Sequence, residues 1–293
     1  MNQDLSSIFE TPEAERLATG FVFTEGPLWH PAGFFYFVDI RSEPSRLYRL
    51  YPGRAPEIVR EGTNGGNGTT FDLQGRLLMC EMTERRVTRM DESGNVEVVA
   101  ERYEGKRLNR PNDIVCRGDG SIFFTDPGGR MTLAERELPF SGVYRMAPDG
   151  ALSLVAECEY PNGLAFAPDE RTLYVANSRA TAYIHALEID AAGALVRRRI
   201  FADMSSDETD GVPDGMKVDA EGRVFCTGAG GTWVFAPDGG LIGIMRTPEV
   251  PANLAFGGAD LRTLLLTART SVYALRLRTP GRPQPGAAVA PPR

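Results

Sequence analysis

Residues 162–177, Asn-Gly-Leu-Ala-Phe-Ala-Pro-Asp-Glu-Arg-Thr-Leu-Tyr-Val-Ala-Asn, set a template. A polar residue is followed by Gly, a short apolar run, a turn rich in Asp, Pro or Gly, and a second, more hydrophobic run. Outward from this stretch the same template recurs at residues 25–39 (EGPLWHPAGFFYFVD), 67–81 (NGTTFDLQGRLLMCE), 112–126 (NDIVCRGDGSIFFTD), 214–228 (DGMKVDAEGRVFCTG) and 253–268 (NLAFGGADLRTLLLTA). The leading residues lie 42, 45, 50, 52 and 39 positions apart. Repeats of about 40 to 50 residues, each with several strands, are the range of propeller blades.

The runs FFYFV, RLLMC, SIFF, TLYVA and RVFC are short, β-branched or aromatic, and bounded by turn residues, so they read as strands. A further strand and turn follow each pair, as in VTRM-DESGN-VEVVA, VYRM-APDG-ALSLVA and WVFA-PDGG-LIGIM, where Asp-Gly and Gly-Asn steps suit hairpins. Four antiparallel strands in each of six units predict an all-β, six-bladed β-propeller, whose radial repetition leaves few exposed sheet edges. The last unit is one strand short. Residues 14–23 are expected to supply that strand and close the ring, making residues 1–278 a single domain. The Pro-rich residues 279–293 are expected to be a disordered tail, and residues 132–139 a single helical turn. Two unrelated β-sandwiches are the rival architecture.

Composition narrows the chemistry. The chain has 293 residues with 32 Lys and Arg against 39 Asp and Glu, a formal charge of −7, and its basic residues are scattered. That argues against nucleic acid and anionic membranes, which need clustered cations. The dense run Arg197-Arg198-Arg199 reads as a solvated hairpin edge. No segment approaches the roughly 20 apolar residues of a membrane span, and the first ten residues have no signal-peptide pattern; a soluble, cytoplasmic protein is expected. Cys80, Cys116, Cys158 and Cys226 are widely spaced and read as buried free thiols rather than a zinc site or disulfide framework. Only His30 and His185 are present, with no G-x-S-x-G motif, so a Ser-His-Asp triad is not credible.

The innermost strand of a blade lines the central channel, so Glu25, Asn67, Asn112, Asn162, Asp214 and Asn253 should ring one mouth. Any single Asn-Gly or Asp-Gly step is more often a turn than a ligand. Recurrence at one place in six repeats favours a shared task, because buried oxygen groups are costly unless something fills the ring. A hard divalent cation takes oxygen ligands of this kind. Glu25 and Asp214 would neutralise it, Asn162 and Asn112 would add amide oxygens, and Asn67 and Asn253 are left open between ligand and neighbour-bonding roles.

The motifs E25GPLW, V38DI, R110PND, P161NGLAF, P213DGMKVD and P251ANLAFGG, in this order and at blade spacing, resemble the senescence-marker-protein/gluconolactonase/luciferin-regenerating-enzyme family, especially its bacterial gluconolactonase-like branch. The resemblance extends over residues 17–278. It implies a propeller with one divalent metal at the top of its channel, held by Glu25, Asn162 and Asp214, with Asn112 joining in some relatives, including diisopropyl-fluorophosphatase-like propellers. In sugar lactonases of the family an Arg-x-Asn pair contacts substrate, and Arg110 and Asn112 carry it here. Those enzymes also use a Glu from the following loop, where this chain has Glu135 and Glu137, neither of them placed. Two departures stand out. Ile114 follows Asp113 where vertebrate members have Gly, and Asn177-Ser178-Arg179 stands where relatives often have an acid. Arg179 is left open between contact with an anionic or polyhydroxylated substrate and an exposed loop position.

The expected activity is metal-dependent opening of a sugar or related hydroxy-acid lactone, with the cation polarising the carbonyl and Asp214 as base. Ca2+ is the first choice, and Zn2+, Mn2+, Mg2+ and Fe2+ remain open. Organophosphate triester hydrolysis on the same site, or a non-catalytic Ca2+-stabilised propeller presenting loops to a protein partner, are the alternatives. The expected partner is a small lactone, and the expected state a monomer or weak homo-oligomer.

Overall fold

The computed structural model describes residues 4–206 and 209–286. Among them are six four-stranded antiparallel sheets. Blade 1 runs Thr24–His30, Phe34–Asp39, Arg46–Leu50 and Glu57–Glu61 from the axis outward; blades 2 to 5 repeat that order. Blade 6 is Asn253–Gly257, Thr263–Ala268 and Ser271–Arg276, and its outer strand is Glu15–Thr19, paired antiparallel to Ser271–Arg276. The chain thus closes its ring with an N-terminal strand, as the missing strand of the last repeat requires.

Core side chains collect into six groups, one at each blade-to-blade interface. Trp233 and Phe235 of blade 5, for example, meet Ala165, Ala176 and Ile184 of blade 4. Phe123 of blade 3 packs edge-on against Phe166 of blade 4, with ring centroids 5.1 Å apart. The apolar runs of each repeat are therefore buried between blades. The four cysteines lie in or beside these layers, all buried and unpaired.

Close packing around the axis explains the Gly of the template. A Cβ at Gly26 would lie 2.1 Å from the Asn67 carbonyl oxygen, and one at Gly163 would lie 2.1 Å from that of Asp214. Each glycine admits the backbone of the next blade's leading residue. The Asn-Gly and Asp-Gly steps are here contacts between inner strands rather than hairpin turns.

Residues 101–107 hold a small hairpin, Arg102–Tyr103 with Lys106–Arg107. The single helical turn expected within 132–139 is a 3-10 turn, Leu133–Glu135, capped by Thr132. The C-terminal segment differs from the sequence reading. Residues 279–286, expected to be unstructured, pack across one end of the channel, where Gly281 N donates to Leu261 O (2.8 Å) and Arg282 Nη1 to Ala167 O (2.9 Å). Pro-rich composition predicts the lack of regular structure there but misses the docking. Residues 287–293 lie outside the described residues.

Candidate metal centre and substrate cavity

The six leading residues sit at the start of the innermost strands and meet at one mouth of the channel. Glu25, Asn67, Asn162 and Asn253 are almost fully buried. Above them opens a cavity of about 520 Å3, lined by Glu25, Asn67, Asn112, Asn162 and Asp214 at its floor and by Arg110 and Arg179 among its walls. Its size suits a small ligand.

The hydrogen bonds divide the ring into two kinds of residue. Asn253 is committed to neighbours. Its Nδ2 donates to Glu25 Oε2 (3.0 Å) and Asp113 Oδ2 (3.4 Å), and its Oδ1 accepts from Leu254 N (2.8 Å). Asn162 keeps its oxygen free: Nδ2 donates to Ser178 Oγ (2.9 Å), while Oδ1 is buried without a partner. Asn67 does likewise, with Nδ2 on Met82 Sδ (3.4 Å) and Oδ1 unpartnered. Buried acceptors left unpaired cost about 1–3 kcal/mol each. In a ring this regular they mark a place for a positive or donating guest.

The carboxylates are under the same tension. Burial pushes Glu25 up to about 7 despite hydrogen bonds from Gly26 N and Asn253, and the Asp113 charge adds to the rise. Asp214 is held well above the usual carboxylate range by burial and by the charges of Glu25 and Asp113. Asp113 is itself raised by burial, with Lys217 drawing it part of the way back. A cation on the ring would reverse the charge crowding that these shifts report. Among the described residues no trio of His, Cys, Asp and Glu converges on a metal-sized point. The donor set is oxygen from two carboxylates and several amides, which suits a hard dication and disfavours metals that prefer thiolate or imidazole.

Positioning comes from residues to which the sequence alone assigns no role. In blades 1, 3 and 4 the template's last residue accepts backbone N–H groups just ahead of the leading residue of the same blade. Asp39 takes those of Val22 and Phe23 (3.0 and 2.9 Å), Asp126 those of Asn109 (2.7 Å) and Arg110, and Asn177 Oδ1 that of Tyr160 (2.8 Å). Their recurrence as Asp39, Glu81, Asp126 and Asn177 was the available signal. Ser178 then joins two ring members, accepting from Asn162 and donating to the carbonyl of Pro213, the residue before Asp214. Asp113 occupies the position that is Gly in most repeats, and it was overlooked because Asn112 beside it claimed the motif.

Glu135 and Glu137 are placed outside the cavity. Glu135 caps its own 3-10 turn by accepting from Thr132 N (2.6 Å), and Glu137 accepts from Arg107 N (2.8 Å). His30 stacks on Phe34, and His185 contacts Arg198 on the outer part of blade 4. Neither histidine reaches the cavity.

Residues 23–270 match the family model described as SMP-30/Gluconolactonase/LRE-like region. The chain belongs to this family. It is 32% identical over 291 residues to a gluconolactonase of Zymomonas mobilis, covering 91% of this chain and 82% of that one. It is 32% identical over 255 residues to the pentonolactonase XacC of Haloferax volcanii, covering 83% and 80%. A solved gluconolactonase from Xanthomonas campestris superposes with a TM-score of 0.82 at 36% identity, covering 89% of this chain and 88% of that one. No helix among the described residues of this SMP-30/gluconolactonase family member is long and apolar enough to cross a membrane.

Proposed function

We propose that this chain is a divalent-metal-dependent lactonase that opens a sugar or related hydroxy-acid lactone. The observation carrying this reading is the pair of buried, unpartnered amide oxygens of Asn162 and Asn67 beside Glu25 and Asp214, at the floor of a sugar-sized cavity. Similarity to gluconolactonases and a pentonolactonase supports the substrate class. Glu25, Asn162, Asp214 and Asn112 would hold the cation, with Ca2+ the first candidate because the donors are all oxygen; Zn2+, Mn2+, Mg2+ and Fe2+ are tested beside it. When bound, such an ion supplies a Lewis acid for the lactone carbonyl.

The side chains supply the rest. Asp214 accepts the proton of the attacking water. Water adds to the carbonyl carbon, the ring C–O bond breaks, and the ring oxygen leaves as a hydroxyl by taking the proton back from Asp214. Arg110 stabilises charge gathering on oxygen, and Asn112 orients the ester. Asp126 fixes the backbone that presents this pair. Four buried, unbonded cysteines suit a reducing compartment and support a cytoplasmic location.

The test is a pH-stat assay of gluconolactone hydrolysis before and after exhaustive chelation, then after adding back single divalent metals. We expect loss on chelation and recovery with at least one metal. Undiminished hydrolysis in the chelated protein would overturn the metal dependence, and metal binding without hydrolysis of any lactone or fluorophosphate would favour a binding module.

A further inference from the structure

Four arginines, Arg41, Arg110, Arg130 and Arg179, line the cavity above the ring. Among the described residues none of the four has an ion-pair partner, whereas Arg46, Arg49, Arg60, Arg76, Arg86 and Arg89 on blades 1 and 2 each do. Among the described residues the carboxylates lining the cavity are Glu25 and Asp214, both on its floor. The lining therefore has a positive excess in a chain whose net charge is −7, and a dication on the floor would enlarge it.

Three of these arginines, Arg41, Arg110 and Arg179, are also held in place by something other than acids, while Arg130 is exposed at the rim. The Arg41 guanidinium lies 4.3 Å from the Phe23 ring centre and that of Arg179 lies 4.5 Å from the Tyr160 ring centre. Stacking on an aromatic face fixes the guanidinium plane and leaves its N–H edges for an acceptor. The stem of Arg110 runs against Gly129, where a Cβ would come within 3.0 Å of Arg110 Cδ, and Arg110 Nε is buried without a partner. Gly129 adopts φ +56°, so the glycine serves both the backbone turn and the passage of the arginine. The remaining walls include Phe23, Ile40, Met82, Tyr160 and Val212, with the hydroxyls of Thr83 and Ser178 among them, and the free amide oxygens lie on the floor rather than beside the arginines. A neutral lactone yields a single carboxylate on opening, formed at the floor, and that one charge does not call for three further unpaired guanidiniums on the walls.

Resting on the lactonase reading, we propose that the substrate is an anionic lactone, bearing a phosphate or a second carboxylate away from the ring ester, and that Arg41, Arg130 and Arg179 select it. Arg110 stays with the ring ester. Guanidinium is suited to both anions because its paired N–H groups match two oxygens at once.

The experiment compares kcat/KM of the full-length, metal-loaded chain on glucono-1,5-lactone, its 6-phosphate and glucaro-1,4-lactone. At least one anionic lactone is expected to exceed the neutral one by about tenfold or more, and that ratio should fall several-fold between roughly 50 and 300 mM NaCl as the exposed charges are screened. Arg179→Gln, Arg41→Gln and Arg130→Gln should each lower the anionic-to-neutral ratio about three- to tenfold, chiefly through KM, with Arg179→Lys falling between. The phosphate and carboxylate arms separate the two anion types. Hydrolysis of the neutral lactone with a ratio at or below one, unmoved by salt and by the variants, overturns the proposal and leaves the lactonase reading standing. Absence of hydrolysis of all three lactones, with circular dichroism showing a folded chain, overturns both.

Discussion

The two ends of the central channel are made from the same six strands, yet one is open and polar and the other nearly filled. Where the inner strands begin, Glu25, Asn67, Asn162 and Asp214 face a cavity of about 520 Å3. Where they end, Phe166, Val218 and Phe256 with Pro283 and Pro285 leave about 60 Å3. The inner strand of each blade is thus a polarity gradient, readable in a segment such as Asn162-Gly-Leu-Ala-Phe166. The polar groups that lack partners gather at the open end, and the closed end is packed largely by apolar side chains and the C-terminal segment. This division makes opposite forecasts for substitutions at the two mouths.

The largest effect is expected at the floor of the open mouth. Asp214→Asn and Glu25→Gln should each lower kcat/KM for lactone hydrolysis by about a thousandfold or more, the scale of losing a principal charge-stabilising group. Their effect on stability should change sign with the metal. In the chelated protein Asp214 has a folded-state pKa above its unfolded one, so its contribution to stability is lost as pH rises out of the ordinary carboxylate range. Asp214→Asn should therefore raise the Tm of the chelated protein at pH 8 and gain nothing at pH 3. With metal added, the native protein should be stabilised by mass action and the variant much less. A Tm unmoved by either metal or substitution would erase the contrast between the mouths.

One step back from the floor, Asp126 holds the backbone N–H groups of Asn109 and Arg110. In Asp126→Asn one of those donors must face an amide N–H instead of an oxygen. The resulting shift of Arg110 and Asn112 should cost about 10- to 100-fold in kcat/KM. Burial pushes Asp126 up to about 7. Its charge in the folded state is unfavourable above that value, so the wild type should lose stability between about pH 4 and 7. The variant should lack that component, which thermal melts at intervals across this window would read directly. Ser178→Ala is milder. It frees Asn162 Nδ2 and the Pro213 carbonyl, with a cost of about 1–2 kcal/mol and a several-fold fall in kcat/KM.

The unequal legibility of the molecule follows from the same gradient. Blade count, strand pairing and N-terminal closure come from a pattern that every repeat states again, so errors in one copy are outvoted by the others. The leading residues were legible for that reason, and Asn67 and Asn162 do keep a free oxygen there. Asn253 shares their sequence position but spends both ends of its amide on Glu25, Asp113 and Leu254, a choice made by three-dimensional neighbours. Asp113 and Ser178 occur once each, and their contacts lie across blades, so no periodicity announces them. The arginines of the cavity come from four separate loops of unrelated composition, and only the closed ring brings them together.

The smallest effect on turnover is expected at the closed mouth. Residues 279–286 cross it from blades 5 and 6 toward blade 2: Ala220 N donates to Pro280 O (3.2 Å), Gly281 N to Leu261 O (2.8 Å), and Arg282 bonds the Ala167 carbonyl (2.9 Å) and Glu170 (3.1 Å). Gly281 lies flat on Phe256, where a Cβ would fall 2.0 Å from the ring carbon Cγ. Ending the chain after Arg278 removes these bonds and uncovers apolar ring faces, at a cost of about 2–4 kcal/mol. For a domain of this size that is a Tm drop of about 5–10 °C. Gly281→Ala, which must lift the segment off Phe256, should give part of the same drop. Because the strap touches no residue of the oxygen ring, kcat/KM at 25 °C should change by less than about twofold in either variant. A large loss of turnover with little loss of Tm would show that the lower mouth communicates with the floor of the upper one, through Lys217, whose side chain lines the closed end while its charge acts on Asp113 and Glu25.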